Sequence, residues 1–149
     1  MNKLGCNNKR EIVFSPVGSS ISLDLWGVPF QTLYHPLLLP GATKEAAEKA
    51  GMHVLAFSIV PFQPQGLSLA LILGESHLTV HTSPEHGYAA IDIFTCGKGR
   101  PLVAAEYLIS MLKPEQHYIN EFQRGIRPES QKRRILKNFD PREIELAQR

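Results

Sequence analysis

The chain has 149 residues, 43% of them hydrophobic and 20% charged, which is the composition of one globular domain and excludes a disordered protein. Its net charge of +2 is too small to indicate nucleic acid as the main partner. No apolar run is long enough to span a membrane, and two cysteines, Cys6 and Cys96, do not make a disulfide framework. We therefore expect a cytoplasmic protein that binds neither nucleic acid nor membranes.

The charge is distributed unevenly along the chain. Residues 1–125 hold nine Lys and Arg against ten Asp and Glu, whereas residues 126–149 hold seven against four. The second segment is therefore a basic C-terminal tail, which we interpret as solvated and not as a binding arm. Residues 1–19 are mostly polar and are predicted to form a leader. The predicted folded domain covers residues 20–125.

The first half of this domain predicts two strands and a helix. Residues 21–26 alternate between apolar and polar side chains, a pattern typical of a strand with one buried face. Thr43 is the predicted N-cap of a short helix over residues 44–50, which Gly51 ends. A run of apolar, β-compatible residues predicts a second strand over residues 53–60.

Strands dominate the second half. Further strands are predicted over residues 67–73, 77–82, 88–95 and 116–122, with a helix over 102–112 and a weak helix over 131–136. Short turns rich in Pro and Gly join most of the strands. Such turns favour an antiparallel sheet with helices packed on one face, so the predicted fold is an α+β two-layer sandwich.

The residues that could carry chemistry lie between positions 71 and 97, around the motif Gly-Glu-Ser-His-Leu-Thr-Val-His. Ser76 does not fit the Gly-x-Ser-x-Gly pattern of a serine hydrolase, because the second glycine is missing and a strand follows. His77 and His81 are four residues apart in that strand and therefore point to the same face. Two such histidines could also indicate a metal site. Their spacing matches no recognised zinc pattern, so we expect no metal.

The segment from Gly66 to Gly97 closely resembles the processing segment of the bacterial and archaeal pyruvoyl-dependent S-adenosylmethionine decarboxylases, and a thinner resemblance covers residues 20–125. In that family the serine hydroxyl attacks the preceding carbonyl, the amide becomes an ester, and β-elimination leads to a pyruvoyl group. The resemblance implies cleavage between Glu75 and Ser76 into β and α chains. It also implies that Ser76 becomes the covalent pyruvoyl cofactor, which binds the substrate amine as a Schiff base in an enzyme of spermidine biosynthesis.

The resemblance implies roles for five further residues. His81 matches the family's processing base, and Ser68 matches a serine that assists processing. Cys96, within Thr-Cys-Gly, matches the acid that protonates the substrate Cα after carbon dioxide leaves. Phe62 matches an aromatic that stacks on adenine, and Glu85 matches a carboxylate that holds the ribose hydroxyls. Family members of this short type also form homodimers with pockets at the interface, and Phe62 is a candidate to reach across.

Two departures from the family pattern concern the substrate. Ser83 replaces a tryptophan before Pro-Glu, and Val60 replaces a histidine two residues before Phe62. A pyruvoyl-dependent arginine decarboxylase of the same fold is therefore an alternative, although Phe62 and Glu85 suit an adenosine and favour S-adenosylmethionine. An uncleaved relative that acts as a binding or regulatory subunit is a second alternative.

Overall fold

Six strands form one sheet in the computed structural model of the protein, which describes residues 17–126. In chain order they are β1 (Gly18–Trp26), β2 (Val54–Pro61), β3 (Leu67–Leu73), β4 (Ser76–Ser83), β5 (Tyr88–Thr95) and β6 (Gln116–Arg124). Their order across the sheet is β2-β3-β4-β5-β1-β6, and every neighbouring pair is antiparallel. The predicted helix over 131–136 lies outside the described residues.

Three helices pack against one face of the sheet. They are α1 (Phe30–Tyr34), α2 (Leu38–Lys49) and α3 (Pro101–Leu112). Every second residue of the central strands points towards these helices and is buried, as Leu78 and Val80 are in β4. The structure confirms the predicted α+β two-layer sandwich. Between residues 17 and 126, no helix has the length and apolar character needed to cross a membrane.

The prediction that Thr43 is the N-cap of α2 is wrong, because the helix begins at Leu38. Thr43 is buried inside the helix, and its hydroxyl donates to the carbonyl of Leu39 at 2.7 Å. Pro40 does not interrupt the helix because it lies in the first turn, where amide groups have no intrahelical acceptor. The predicted helix end is confirmed, since Gly51 follows α2 with a φ of 76°, a conformation that favours glycine.

Apart from α2, the predicted elements agree with the observed ones to within two residues, except at the start of β1. This strand begins at Gly18, so it takes in the last residues of the predicted leader. Helix α1 has no counterpart in the sequence pattern, because five residues are too few to show a helical period.

Candidate active site

The bond predicted to break lies in the two-residue link between β3 and β4. Ser76, the first residue of β4, pairs with Thr95, the last residue of β5. This register brings the next residue, Cys96, against Glu75. Residues far apart in the chain therefore meet because the β4–β5 hairpin aligns them.

The main-chain carbonyl of Glu75 accepts two hydrogen bonds from Cys96. The amide nitrogen of Cys96 lies 2.9 Å from this oxygen, and its Sγ lies 2.8 Å away. If Ser76 attacks this carbonyl, the oxygen becomes an anion that already has two donors directed at it, which is the arrangement of an oxyanion hole. The geometry thus gives Cys96 a contact with the bond to be cut, in addition to its predicted role after cleavage.

The hydroxyl of Ser76 lies 3.1 Å from Nδ1 of His77. A neutral imidazole nitrogen at this distance can accept a hydroxyl proton. The His77 ring also packs against Phe94, with 5.7 Å between ring centroids. Sequence reasoning assigned His77 no role, although a histidine directly after the serine was a signal that could have found it.

His53, at the start of the segment leading into β2, holds the side chain of Glu75. Its Nδ1 lies 2.7 Å from one carboxylate oxygen, and its backbone N–H donates to the other at 2.9 Å. The His53 carbonyl also accepts from the N–H of Gly74 at 2.8 Å. The side-chain and backbone hydrogen bonds from His53 lower the pKa of Glu75, because they favour the ionised carboxylate. No motif in the sequence indicates this contact.

A second cluster lies at the opposite end of β4. Ser68 in β3 is paired with His81, and Ser68 Oγ lies 2.8 Å from His81 Nδ1. The ring of Phe62 lies 5.4 Å from the His81 ring, measured between centroids. Phe62, His81 and Glu85 line one open cavity of about 420 Å³, together with Ser83. The predicted processing base and the predicted adenosine-binding residues are therefore brought together.

Two local contacts shape this cavity. Phe62 lies in the loop between β2 and β3, which its N–H closes by donating to the carbonyl of Gly66 at 2.8 Å. Gly66 has a φ of 91°, and a Cβ there would lie 2.8 Å from the carbonyl of Thr82, so the position requires glycine. Across the cavity, a backbone hydrogen bond and the side-chain amide of Gln65 lower the pKa of Glu85 and keep it ionised.

The structure does not bring the two clusters together within one chain. Ser76 and His81 are five residues apart in one extended strand, which at roughly 3.3 Å per residue separates them by about 16 Å. Cys96 lies one position further on, opposite Glu75, so Ser68 and His81 are at least as far from Cys96. No group of three or more His, Cys, Asp or Glu side chains in residues 17–126 is arranged to hold a metal ion.

The sheet face away from the helices carries both small polar and large apolar side chains. A shallow depression of about 320 Å³ runs along it beside Ser68, Thr79 and His81, and Val60 lines its edge. Large apolar side chains on the strands' outward positions are strongly exposed: Trp26, Val60, Ile72, Tyr118 and Phe122. Exposed large apolar side chains on one sheet face are typical of a protein interface.

Comparison with known proteins identifies the family. The family model described as S-adenosylmethionine decarboxylase matches residues 19–125. The chain is 42% identical over 114 residues to an S-adenosylmethionine decarboxylase proenzyme of Brevibacillus brevis, covering 76% of this chain and 86% of that protein. It is 43% identical over 114 residues to S-adenosylmethionine decarboxylase proenzyme 2 of Bacillus cereus, covering 76% and 93%.

A solved structure has the same fold. The crystal structure of the adenosylmethionine decarboxylase from Aquifex aeolicus matches with a TM-score of 0.71 and 29% identity, covering 80% of this chain and all of that one. The match to the family model spans most of the chain and contains both clusters. The chain therefore belongs to the S-adenosylmethionine decarboxylase family.

Proposed function

We propose that this chain is the proenzyme of a self-processing, pyruvoyl-dependent decarboxylase that converts S-adenosylmethionine to the aminopropyl donor of spermidine biosynthesis. One observation carries the proposal: the Glu75 carbonyl accepts hydrogen bonds from the amide and thiol of Cys96, beside the hydroxyl of Ser76. Attack by Ser76 Oγ puts negative charge on the oxygen that these donors face. An ester between the two residues then replaces the amide.

The residues present fit the pyruvoyl group that the family implies. Its precursor, Ser76, is partly buried at the start of β4, and the thiol of Cys96 donates to the carbonyl of the preceding residue, Glu75. Once formed, the pyruvoyl group supplies an electron sink for the bond between the substrate Cα and its carboxylate. Cys96 then serves as the acid that delivers a proton to the substrate Cα.

The distance between the clusters supports a homodimer with shared sites. β-Elimination of the ester needs a base at the Cα of Ser76, and His81 of the same chain is about 16 Å away. A two-fold axis that runs parallel to the sheet, above the face opposite the helices and perpendicular to β4 at the level of Thr79, reverses the strand and sets the His81 end of one copy against the Ser76 end of the other. Such an isologous pair contains two equivalent composite sites, and it covers the exposed apolar face of the sheet.

The same pairing carries the adenosine-binding residues to the reacting group. Phe62 stacks on the adenine, and the ionised Glu85 accepts hydrogen bonds from the ribose hydroxyls. Ser83 lines this cavity and Val60 the depression beside it, so both departures from the family pattern lie next to the proposed substrate pocket.

Intact-mass measurement of the purified protein tests the proposed processing. We expect a β chain of residues 1–75 and an α chain of residues 76–149 that has no free N-terminal amine. The Ser76→Ala variant is the matched control and should remain one chain. A wild-type protein that stays full-length after long incubation would contradict the proposal and favour an uncleaved binding subunit.

Carbon dioxide release from labelled substrates tests the proposed specificity. The processed protein should release carbon dioxide from S-adenosylmethionine and not from arginine. Release from arginine alone would overturn the substrate assignment while leaving the pyruvoyl chemistry intact. The proposed cytoplasmic location is tested separately by fractionating cells and detecting the α chain in the soluble fraction.

A further inference from the structure

The contact between Ser76 and His77 assigns the first step of self-cleavage to a single chain. We propose that His77 is the catalytic base that takes the hydroxyl proton of Ser76 during its attack on Glu75. His77 then returns that proton to the leaving amide nitrogen. This inference rests on the proposed self-processing, and it divides that process into an acyl shift within one chain and an elimination that uses the partner chain.

His77 is the titratable side chain in contact with the attacking atom, at 3.1 Å from Ser76 Oγ. The other nearby candidates are committed elsewhere. Both carboxylate oxygens of Glu75 are bonded to His53, and the thiol of Cys96 donates to the Glu75 carbonyl. His81 lies about 16 Å away along the strand.

Every proton transfer and bond change of this step involves residues of one chain. The neutral His77 ring, protonated at Nε2, accepts the Ser76 hydroxyl proton at Nδ1 while Oγ bonds to the carbonyl carbon of Glu75. The negative charge on the carbonyl oxygen is held by the amide and thiol of Cys96. The carbon–nitrogen bond then breaks, and the Ser76 nitrogen takes the proton from Nδ1. The product is an ester with the same atoms as the starting amide.

A hydrogen bond from Ser76 to His77 could instead only fix the serine side chain, so the test must separate a base from an acceptor. His77→Asn provides this separation, because its amide oxygen accepts a hydrogen bond near the position of Nδ1 but does not take a proton. His77→Ala removes both functions. The matched control is His117→Asn. His117 is exposed on β6, and its side chain points away from the sheet face that lies opposite the helices.

Ester formation is measured directly by trapping with hydroxylamine, which cleaves esters and leaves amides intact. The three substitutions are made in a His81→Ala background, in which elimination is blocked and the ester accumulates. We expect both His77 variants to form ester at least about 100-fold more slowly than the parent, as the loss of a general base predicts. The His117 control should match the parent. Imidazole added to His77→Ala should restore part of the rate, because His77 is only partly buried.

Mixed dimers test whether each histidine acts in its own chain. Co-expression with Ser76→Ala should leave the His77→Ala chain cut as slowly as when it is expressed alone, because the intact His77 of the partner does not reach it. Co-expression of Ser76→Ala with His81→Ala should restore cutting of the His81→Ala chain. Circular dichroism confirms that each variant is folded before its rate is interpreted.

Two results would overturn the inference: ester formation by His77→Asn at the parental rate, or faster cutting of the His77→Ala chain when it is paired with a Ser76→Ala partner. Absence of cleavage in the wild-type protein is a different outcome, because it contradicts the proposed function itself.

Discussion

The two ends of β4 carry different halves of the proposed chemistry. At the Ser76 end, the thiol of Cys96 contacts the Glu75 carbonyl and the Ser76 hydroxyl contacts His77, all within a single chain. At the His81 end, Phe62, His81 and Glu85 line a cavity, and the peptide bond predicted to be cut lies at the other end of the strand. In the proposed mechanism, the first end breaks its own peptide bond, whereas the second supplies a base and a binding pocket to the reacting group of the other chain. In the proposed dimer, each chain holds two half-sites, which a second copy completes.

Removing the hydroxyl at the first end has the largest expected effect. Ser76→Ala should remain uncut and show no decarboxylation above background, because it lacks both the nucleophile and the precursor of the cofactor. Gel electrophoresis and a carbon dioxide release assay measure the two losses. Ser110→Ala, which changes an exposed serine on α3, should be processed and active like the wild type. If uncut Ser76→Ala is active, Ser76 is neither the required nucleophile nor the precursor of the cofactor.

Cys96→Ala separates the two hydrogen bonds that Cys96 makes to the Glu75 carbonyl, one from its backbone N–H and one from its thiol. The backbone N–H of Cys96 remains on the Glu75 carbonyl, but the thiol donor is lost. We expect cleavage to slow by up to about 100-fold, the cost of one oxyanion-hole donor, and still to reach completion. The processed variant should then lose most of its turnover, because the proton donor is missing. Full turnover after processing would show that Cys96 is not that donor.

The sequence predicted the second half-site more completely than the first. Alternation in β4 predicted the face on which His81 lies, the family resemblance indicated Ser68, and the β3–β4 hairpin pairs the two residues. The contacts of Glu75 depend instead on long-range register and on a loop. Cys96 reaches Glu75 through the β4–β5 pairing, and His53 reaches it from the segment before β2. Local patterns do not encode such contacts, because no residue near either partner signals the other.

The error at α2 has a related cause. Thr43 has the residue type of an N-cap, and Pro40 with Gly41 suggests a turn. Burial of Leu39, Ala42 and Thr43 against the sheet instead extends the helix to Leu38. Tertiary packing overrode a local signal at that point. The resemblance to a known family, and not periodicity, is what predicted His81 and not His77 as the processing base.

Mixed dimers test whether the two half-sites belong to different chains. Phe62→Ala removes the adenine-stacking ring, and Ser76→Ala removes the reacting group. Random pairing of the two variants makes half of the dimers hybrids with one intact site each, so we expect about a quarter of wild-type activity at low substrate concentration. Neither variant alone should approach that value. If the mixture shows no recovery, Phe62 serves its own chain, and the division of β4 into two half-sites is wrong for substrate binding.

The smallest expected effect concerns the contact between His53 and Glu75, which fixes the link before Ser76. The contact lowers the pKa of Glu75, so the folded proenzyme favours the ionised carboxylate. Its contribution to stability is therefore present above the ordinary carboxyl pKa and is lost as the pH falls through the lowered value. Because His53 is exposed, the contribution is small. Thermal unfolding of uncut Ser76→Ala should show a modestly lower Tm for His53→Ala at neutral pH, with the difference vanishing in acid. A difference that persists in acid would show that His53 stabilises the link by packing and not through the carboxylate of Glu75.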